Sequence, residues 1–386
     1  MTPKPNWDSV QLFYSGDEYF RSALEAIDLA ENEIWIESYI FNMDPIGLRF
    51  LEALKNASLR GVRVHLLVDG VGSFNWLVSL KNYCQKNKIH FRIYHPLPIR
   101  LSLLTKISWR SLRTLLILLR RANKRNHRKI IFIDQKIAYL GSLNITQVHS
   151  REFLAGQSWR DTGVKVSGEP LKILIRACVE VWRISKTDGL SIRPLLLKRW
   201  SRLKQTPSAI LRLNNRIRWR VSLNRDLNRR IKNAKTRIYI TNAYFIPRRS
   251  ILRSLRMASR RGVQVCLCLP AKTDVPVVRM ASRSLYFRLM RSGVEIYEYQ
   301  NRMLHAKTLI IDDWATVGSL NLNHRSLFHD LEIEIVLLQK EHIESLHSQW
   351  KIDLQNSHKI NFAELGKMNI FIRTIAQLVY WMRYWI

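Results

Sequence analysis

The segments HRKIIFIDQKIAYLGSLN (127–144) and HAKTLIIDDWATVGSLN (305–321) are two versions of one pattern. Each opens on His-x-Lys, runs through a largely apolar stretch to an Asp, turns, and returns to Gly-Ser-x-Asn. Residues i and i+2 of a strand share a face, so His127 projects with Lys129 and His305 with Lys307. The apolar runs behind them predict a buried strand and an antiparallel return. That return brings Ser142 and Asn144, or Ser319 and Asn321, back beside the His and Lys. Two such hairpins facing each other would surround a phosphate with charge-assisted donors and set an imidazole on each side of phosphorus.

The flanks repeat as well. In the first half a segment from Phe20 to Ala30 leads into IWIESYIF (34–41), then a helix to Arg60, Gly61, VRVHLLVD (62–69) and FRIYHP (91–96). In the second half, Asp226 to Ala234 leads into IYITNAYFI (238–246), then a helix to Arg261, Gly262, VQVCLCL (263–269) and VEIYEY (294–299). Strands alternating with helices predict an α/β sheet in each half. The expected organisation is a first domain over 1–185, a basic connector over 186–224, a second domain over 225–358 and an amphipathic aromatic tail over 359–386. The first domain carries an insertion at about 99–125.

The doubled motif suits double displacement at phosphorus. One neutral His attacks and the other, protonated, donates to the leaving alkoxide, then takes the proton of the incoming alcohol or water. Histidine fits because its ordinary pKa of about 6.5 supplies both forms near neutrality. The lysines stabilise charge developing on the phosphoryl oxygens. This chemistry calls for no cofactor, and the sequence holds no metal-ligand spacing.

Lys plus Arg number 63 against 30 acidic residues, a net charge of +33. No Asp or Glu falls between Asp69 and Asp134, between Asp188 and Asp226, or between Asp226 and Asp274. Charge of that size on a folded surface points to an anionic membrane or to nucleic acid. In the insertion, Leu112, Leu115, Leu116 and Leu119 recur at helical spacing with Lys106, Arg110 and Arg113 opposite, a basic amphipathic pattern that suits a membrane surface or an ordinary packed helix. The tail NIFIRTIAQLVYWMRYWI (369–386) carries Trp381 and Trp385 as candidate anchors. No signal-peptide pattern and no spanning run of about 20 apolar residues is visible, so a cytoplasmic or peripheral inner-membrane location is expected. Cys84, Cys178, Cys266 and Cys268 form no disulfide or zinc pattern and suit core positions in a reducing compartment.

Through NHRK (126–129), WRDT (159–162), NAYFIP (242–247) and SLNLNHRS (319–326) followed by Glu332, the chain resembles the phospholipase D superfamily, and more closely its bacterial cardiolipin synthase branch. The resemblance covers roughly residues 8 to 355. It implies an α/β fold of two pseudo-two-fold-related sandwich domains, each with a mixed, mostly parallel sheet flanked by helices, and an active site at their interface. It further implies His127 as nucleophile and His305 as acid/base. Asp161 and Glu332 match the acids that orient the histidine of the opposite half, with Asp330 a rival to Glu332. Asp134 and Asp312 are expected in structural ion pairs, and Arg128 and Arg325 as ion-pair partners within the motifs. His149 reads as an ordinary loop histidine. Two departures stand out: the turn after Asp312 is one residue shorter than that after Asp134, and the spanning N-terminal helices of longer members are missing. The function so implied is phosphatidyl transfer between phospholipids at an anionic membrane. Phospholipase D hydrolysis and a superfamily nuclease are the alternatives. Against the nuclease, the positive charge comes with Leu and Trp segments and no recognised nucleic-acid module.

Overall fold

The computed structural model describes residues 6–96, 124–185 and 210–366. Its frame is a pair of sheets with one strand order used twice. The first contains β1 (Ser9–Phe13), β2 (Glu33–Ser38), β3 (Arg63–Asp69), β4 (His90–Tyr94), β5 (Ile130–Ile133), β6 (Ile137–Gly141) and β7 (Gly163–Ser167), in the order β1-β7-β6-β5-β2-β3-β4. The second contains β8 (Leu211–Leu213), β9 (Arg237–Thr241), β10 (Gln264–Pro270), β11 (Glu295–Tyr299), β12 (Thr308–Ile311), β13 (Trp314–Gly318), β14 (Ile333–Leu337) and β15 (Ser357–Lys359), in the order β15-β11-β10-β9-β12-β13-β14-β8. Both are mixed. Among the named strands, parallel pairing runs through β2-β3-β4 and β9-β10-β11, where helices return the chain, and the other strand pairs are antiparallel. The expected mostly parallel sheet is therefore corrected, because each catalytic hairpin adds antiparallel strands to a short parallel core.

The hairpins superimpose in register: Ile133 pairs with Ile34, and Ile311 with Ile238. The turn lengths differ as the sequence indicates, three residues between Ile133 and Ile137 and two between Ile311 and Trp314. Asp134 and Asp312 both adopt a left-handed φ of 49°, a region that Asp tolerates. Among the described residues their carboxylates make no ion pair, contrary to expectation. Asp134 accepts the backbone N–H groups of Glu31, Asn32 and Glu33 at 2.8–2.9 Å. Asp312 does the same for Lys235, Thr236 and Arg237 at 2.8–3.1 Å. Each Asp thus ties its hairpin to the turn entering the neighbouring strand, where three amides would otherwise lack acceptors. Gly61 and Gly262 end the preceding helices at φ +92° and +89°, which explains the repeated Arg-Gly-Val.

Period-2 alternation sorts the core into layers. Ile34 and Ile36 face the helices Gly16–Asp28 and Pro45–Leu59, meeting Phe20, Phe50 and Leu54. Trp35, with Phe132, Leu140 and Val164, faces the other way into a core shared with Ala315, Val317, Ile333 and Ile335 of the second half. Removing each large apolar side chain from water contributes roughly 1.5–3 kcal/mol, so this shared layer holds the halves in fixed register. Polar ties reinforce it, notably the buried Arg160–Asp353 pair at 2.9 Å.

The connector expected over 186–224 is described from residue 210, where it already belongs to the second sheet. Leu211–Leu213 pairs with β14, and a helix spans Ile217–Asn233. Its Arg-rich composition concealed this, because Arg212 is buried between Glu334 and Asp226 rather than solvated. Most of the 99–125 insertion, with Lys106, Arg110 and Arg113, and the tail beyond 366, with Trp381 and Trp385, lie outside the described residues. All four cysteines are buried and free.

Candidate active site

His127 and His305 occupy the short extended segments that enter β5 and β12, each pinned by the opposite half. The His127 N–H donates to Leu331 O at 3.0 Å, and the His305 N–H donates to Arg160 O at 2.8 Å. The residue after each of these acceptors supplies the acid. His127 Nδ1 lies 3.0 and 3.1 Å from the two carboxylate oxygens of Glu332. His305 Nδ1 lies 2.7 Å from Asp161 Oδ1. The carboxylate of each half therefore holds the imidazole of the other. With Nδ1 occupied, each ring has Nε2 left for a ligand. The rival Asp330 instead receives the Arg125 N–H at 2.9 Å and pairs with Arg325 at 3.1 Å.

Both rings open on one cavity of about 450 Å³. Tyr39, Trp159 and Tyr244 form aromatic walls, Asn144 and Asn321 come from the two Gly-Ser-x-Asn returns, and Val275, Val277 and Val278 supply an apolar side. Arg325, Asp330 and Asp274 add charge to the lining, so Arg325 is both an ion-pair partner, as expected, and a cavity residue. Asn144 Oδ1 accepts the Ile40 N–H at 3.3 Å, while Asn321 Oδ1 is buried with no hydrogen-bond partner among the described residues. An unsatisfied buried amide oxygen is costly and calls for a partner.

The serines do not share this position. Ser142 Oγ bonds Thr162 at the end of β6, and Ser319 Oγ donates to the Glu332 carboxylate and accepts the Ile333 N–H. Both are fully buried, so their expected phosphate contact is corrected to a role in strand pairing and in holding Glu332. Gly-Ser places a small side chain where the return meets the next strand too closely for a larger one; at Gly318 a Cβ would sit 2.2 Å from Ile333 O. Lys129 and Lys307 lie behind the histidines and off the cavity wall, each donating to the carbonyl of its own His. Arg128 is fully buried and forks onto Glu37 at 2.9–3.0 Å, an ion pair as expected but with a partner on β2 rather than within the motif.

Burial sets the charge states. His127 is pushed well below its ordinary pKa by desolvation, with Lys129 and Lys307 adding to the effect. Desolvation and Lys307 also lower His305, against the pull of Asp161. Lys129 falls to about 7 and Lys307 to about 8, both through burial. The two acids part company. Burial raises Glu332 to about 7, partly offset by Lys129 and Ser319. Burial also works to raise Asp161, but contacts from His149 and His305 outweigh it and hold the carboxyl well below the usual range.

His149 is the residue that sequence reasoning missed. It is 1% exposed, its Nδ1 lies 2.6 Å from Asp161 Oδ2, and its Nε2 accepts the Asn144 N–H at 3.1 Å. A signal was present. His149 stands five residues beyond Asn144, as Ser326 stands five beyond Asn321, and the Ser326 hydroxyl also acts on Glu332. Among the described residues, His149, Asp161 and His305 bring ligand atoms close enough to gather about an ion. Their nitrogens already engage the carboxylate as hydrogen-bond donors, so the set reads as a relay.

The family described as "Cardiolipin synthase, PLD-like domain" matches residues 23–152 and 227–353, one match in each half. Cardiolipin synthase B of Salmonella typhi is 31% identical over 336 residues, covering 86% of this chain and 76% of that protein. A cardiolipin synthase of Alkalihalophilus pseudofirmus is 30% identical over 363 residues, covering 93% and 69%. Among solved structures, phosphatidylserine synthase of Haemophilus influenzae shares the fold over 99% of this chain and 96% of its own, with a TM-score of 0.74 at 12% identity. Polyphosphate kinase of Porphyromonas gingivalis shares it more distantly, with a TM-score of 0.57 at 13% identity, covering 97% of this chain and 56% of its own. With a family match in each half and a doubled His-Lys site between them, the chain belongs to the cardiolipin synthase branch of the phospholipase D superfamily and is an enzyme of its phosphatidyltransferase type.

Proposed function

We propose that the enzyme transfers a phosphatidyl group from phosphatidylglycerol to the hydroxyl of a second phospholipid, through a phosphohistidine at His127. The observation that carries this reading is the crossed pair of imidazoles, each tied at Nδ1 to a carboxylate of the opposite half and each with Nε2 left for one shared cavity. His127 Nε2 attacks phosphorus, forming a P–N bond as the P–O bond to glycerol breaks. His305 gives its Nε2 proton to the departing glycerol alkoxide. It then takes the proton of the acceptor hydroxyl, whose oxygen displaces His127 from phosphorus. Lys129, Lys307, Asn144 and Asn321 are the donors for the phosphoryl oxygens, the lysines by swinging from the carbonyls they now hold.

The charge states fit these duties. Arrival of an anionic phosphodiester raises the proton affinity of both rings, and the ring backed by the fully ionised Asp161 gains most from becoming cationic. That ring is His305. His127, backed by the weaker acid Glu332, stays neutral and nucleophilic. The aromatic and valine walls support transfer to an alcohol by limiting competing water.

The partner on this reading is an anionic membrane surface, and the net charge of +33 supports it. Among the described residues no helix is long and apolar enough to cross a membrane. Peripheral attachment at the inner membrane, with Lys106, Arg110, Arg113, Trp381 and Trp385 as contacts, belongs to the same proposal. The test is incubation of purified protein with phosphatidylglycerol vesicles and, separately, single-stranded DNA, with His127→Ala as control. Cardiolipin and free glycerol from the wild type alone are expected. Phosphatidic acid without cardiolipin would make it a hydrolase, and cut DNA with untouched lipid would make it a nuclease.

A further inference from the structure

The hydrogen bonds around His149 fix its tautomer. Nε2 accepts the backbone N–H of Asn144, so the ring hydrogen sits on Nδ1 and is donated to Asp161 Oδ2. Phe20 and Trp159 meet the ring edge-on at 6.5 and 5.4 Å, so it has little room to rotate. Asp161 therefore accepts one ring N–H on each oxygen, from His149 on Oδ2 and from His305 on Oδ1. A carboxylate held on both oxygens cannot turn, and the His305 ring it holds cannot flip or change tautomer without breaking a buried bond. Glu332, the matching acid, has no histidine behind it. The residue in the equivalent place is Ser326, and Glu332 receives the hydroxyls of Ser326 and Ser319 in place of a second imidazole.

We infer that His149 is a positioning residue for the acid/base step: acting through Asp161, it fixes the orientation and tautomer of His305, and so divides the work between two histidines that stand on equivalent scaffolds. The inference rests on the assignment of acid/base duty to His305 under the proposed function. It adds a link to the cavity, because the amide that locks His149 belongs to Asn144, whose side chain lines the phosphate position. The ionisable groups facing His305 are Asp161, His149 and Lys307, with the Tyr244 ring edge-on at 6.4 Å. Those facing His149 are Asp161 and His305, since Asp17 is occupied with Ser150 and the Arg151 amide.

The bonds separate two conservative replacements. Asn at 149 places an N–H donor where Nδ1 was and can restore the bond to Asp161. Gln places its polar atoms where Nε2 was and can restore only the bond from Asn144. His149→Ala is expected to lower kcat on the order of 30-fold, with KM within about three-fold. Its kcat–pH profile should move its alkaline limb upward by about half a unit, because Asp161, relieved of a donor, pulls harder on the His305 proton. His149→Asn should regain most of the rate and His149→Gln should not. Rates of His149→Ala within three-fold of wild type, an unmoved limb, or equal rescue by Gln would overturn the inference. A second arm needs no substrate. In resting protein labelled with ¹⁵N-histidine, the His149 signal should report the Nδ1–H tautomer, and the His305 signal should shift in His149→Ala. An Nε2–H or doubly protonated His149 would contradict the inference. A wild type that turns over no phospholipid would break the functional reading alone and leave the spectroscopic arm to judge His149.

Discussion

His127 and His305 enter one cavity on matching hairpins, held by matching backbone bonds from the opposite half, yet the acids behind them stand in different surroundings. Asp161 is gripped by two imidazoles and lies well below the usual carboxylate range, whereas Glu332 is gripped by one imidazole and hydroxyls and is raised to about 7. The duplicated strand order fixes where the groups sit. What each group does is decided by side chains outside the motif, at positions the duplication did not keep alike. A site of this kind keeps a symmetric frame while its two halves diverge in proton affinity, the difference that a nucleophile and an acid/base require.

The comparison can be broken at its strongest point first. His127→Ala should abolish lipid turnover, while His305→Ala should lower it by about 10²–10⁴-fold, the usual contribution of a general acid/base; steady-state cardiolipin formation reads both, and equal losses would erase the distinction. Next come the acids. Asp161→Asn removes a full charge from behind His305 and disturbs its tautomer, so a loss on the order of 10³-fold in kcat is expected. Glu332→Gln removes a charge that is only partly present near pH 7 and should cost about ten-fold less; a larger loss at Glu332 would reverse the assignment. A smaller effect concerns protons. With Lys129 near 7 and Lys307 near 8, both are largely neutral at pH 8.5 in the empty cavity. A bound phosphodiester stabilises their charged forms, so binding at pH 8.5 should take up protons and weaken as pH rises from 7 to 9. Calorimetry of a short-chain phosphodiester in two buffers of different ionisation enthalpy measures this, and Lys129→Met should cut the uptake; no uptake would mean that the lysines stay charged. Last, the scaffolds should respond alike. Asp134→Ala loses three charge-assisted bonds and Asp312→Ala loses four, the Thr236 hydroxyl included, and each puts alanine at positive φ, for about 2 kcal/mol apiece by denaturant titration. Asparagine at either place should recover much of it. Unequal costs would show that the two hairpins are less alike than their geometry.

The repeat made most of this legible from sequence. His-x-Lys, the Asp five residues beyond the Lys and Gly-Ser-x-Asn located both hairpins, and the alternating flanks located the strands beside them, because pattern and period are local properties. The resemblance supplied the crossed acids, which no spacing within one half could have given; Glu332 contacts His127, and Asp330 is spent on Arg125 and Arg325. The failures share a cause. Ser142 and Ser319 look like phosphate ligands by position, but the strand pleat turns them into the sheet. Asp134 and Asp312 look like ion-pair partners by charge, but three backbone amides lie nearer. Arg212 looks solvated by composition and is buried between two acids. His149 looks like a loop histidine because nothing in the sequence shows that Asp161 and Asn144 close around it. In each case the partner comes from another strand or a distant loop, and only the assembled fold shows which polar group meets which.

The most direct test of the division of labour is to find the phosphorus. Wild-type enzyme is mixed with a phosphatidylglycerol labelled in its phosphatidyl moiety, quenched within milliseconds under conditions that preserve phosphohistidine, digested and mapped by mass spectrometry. The label is expected on the peptide bearing His127, absent from His127→Ala, with the peptide bearing His305 unlabelled. Label on His305, with His127 clean, would contradict the account and exchange the roles of the two halves.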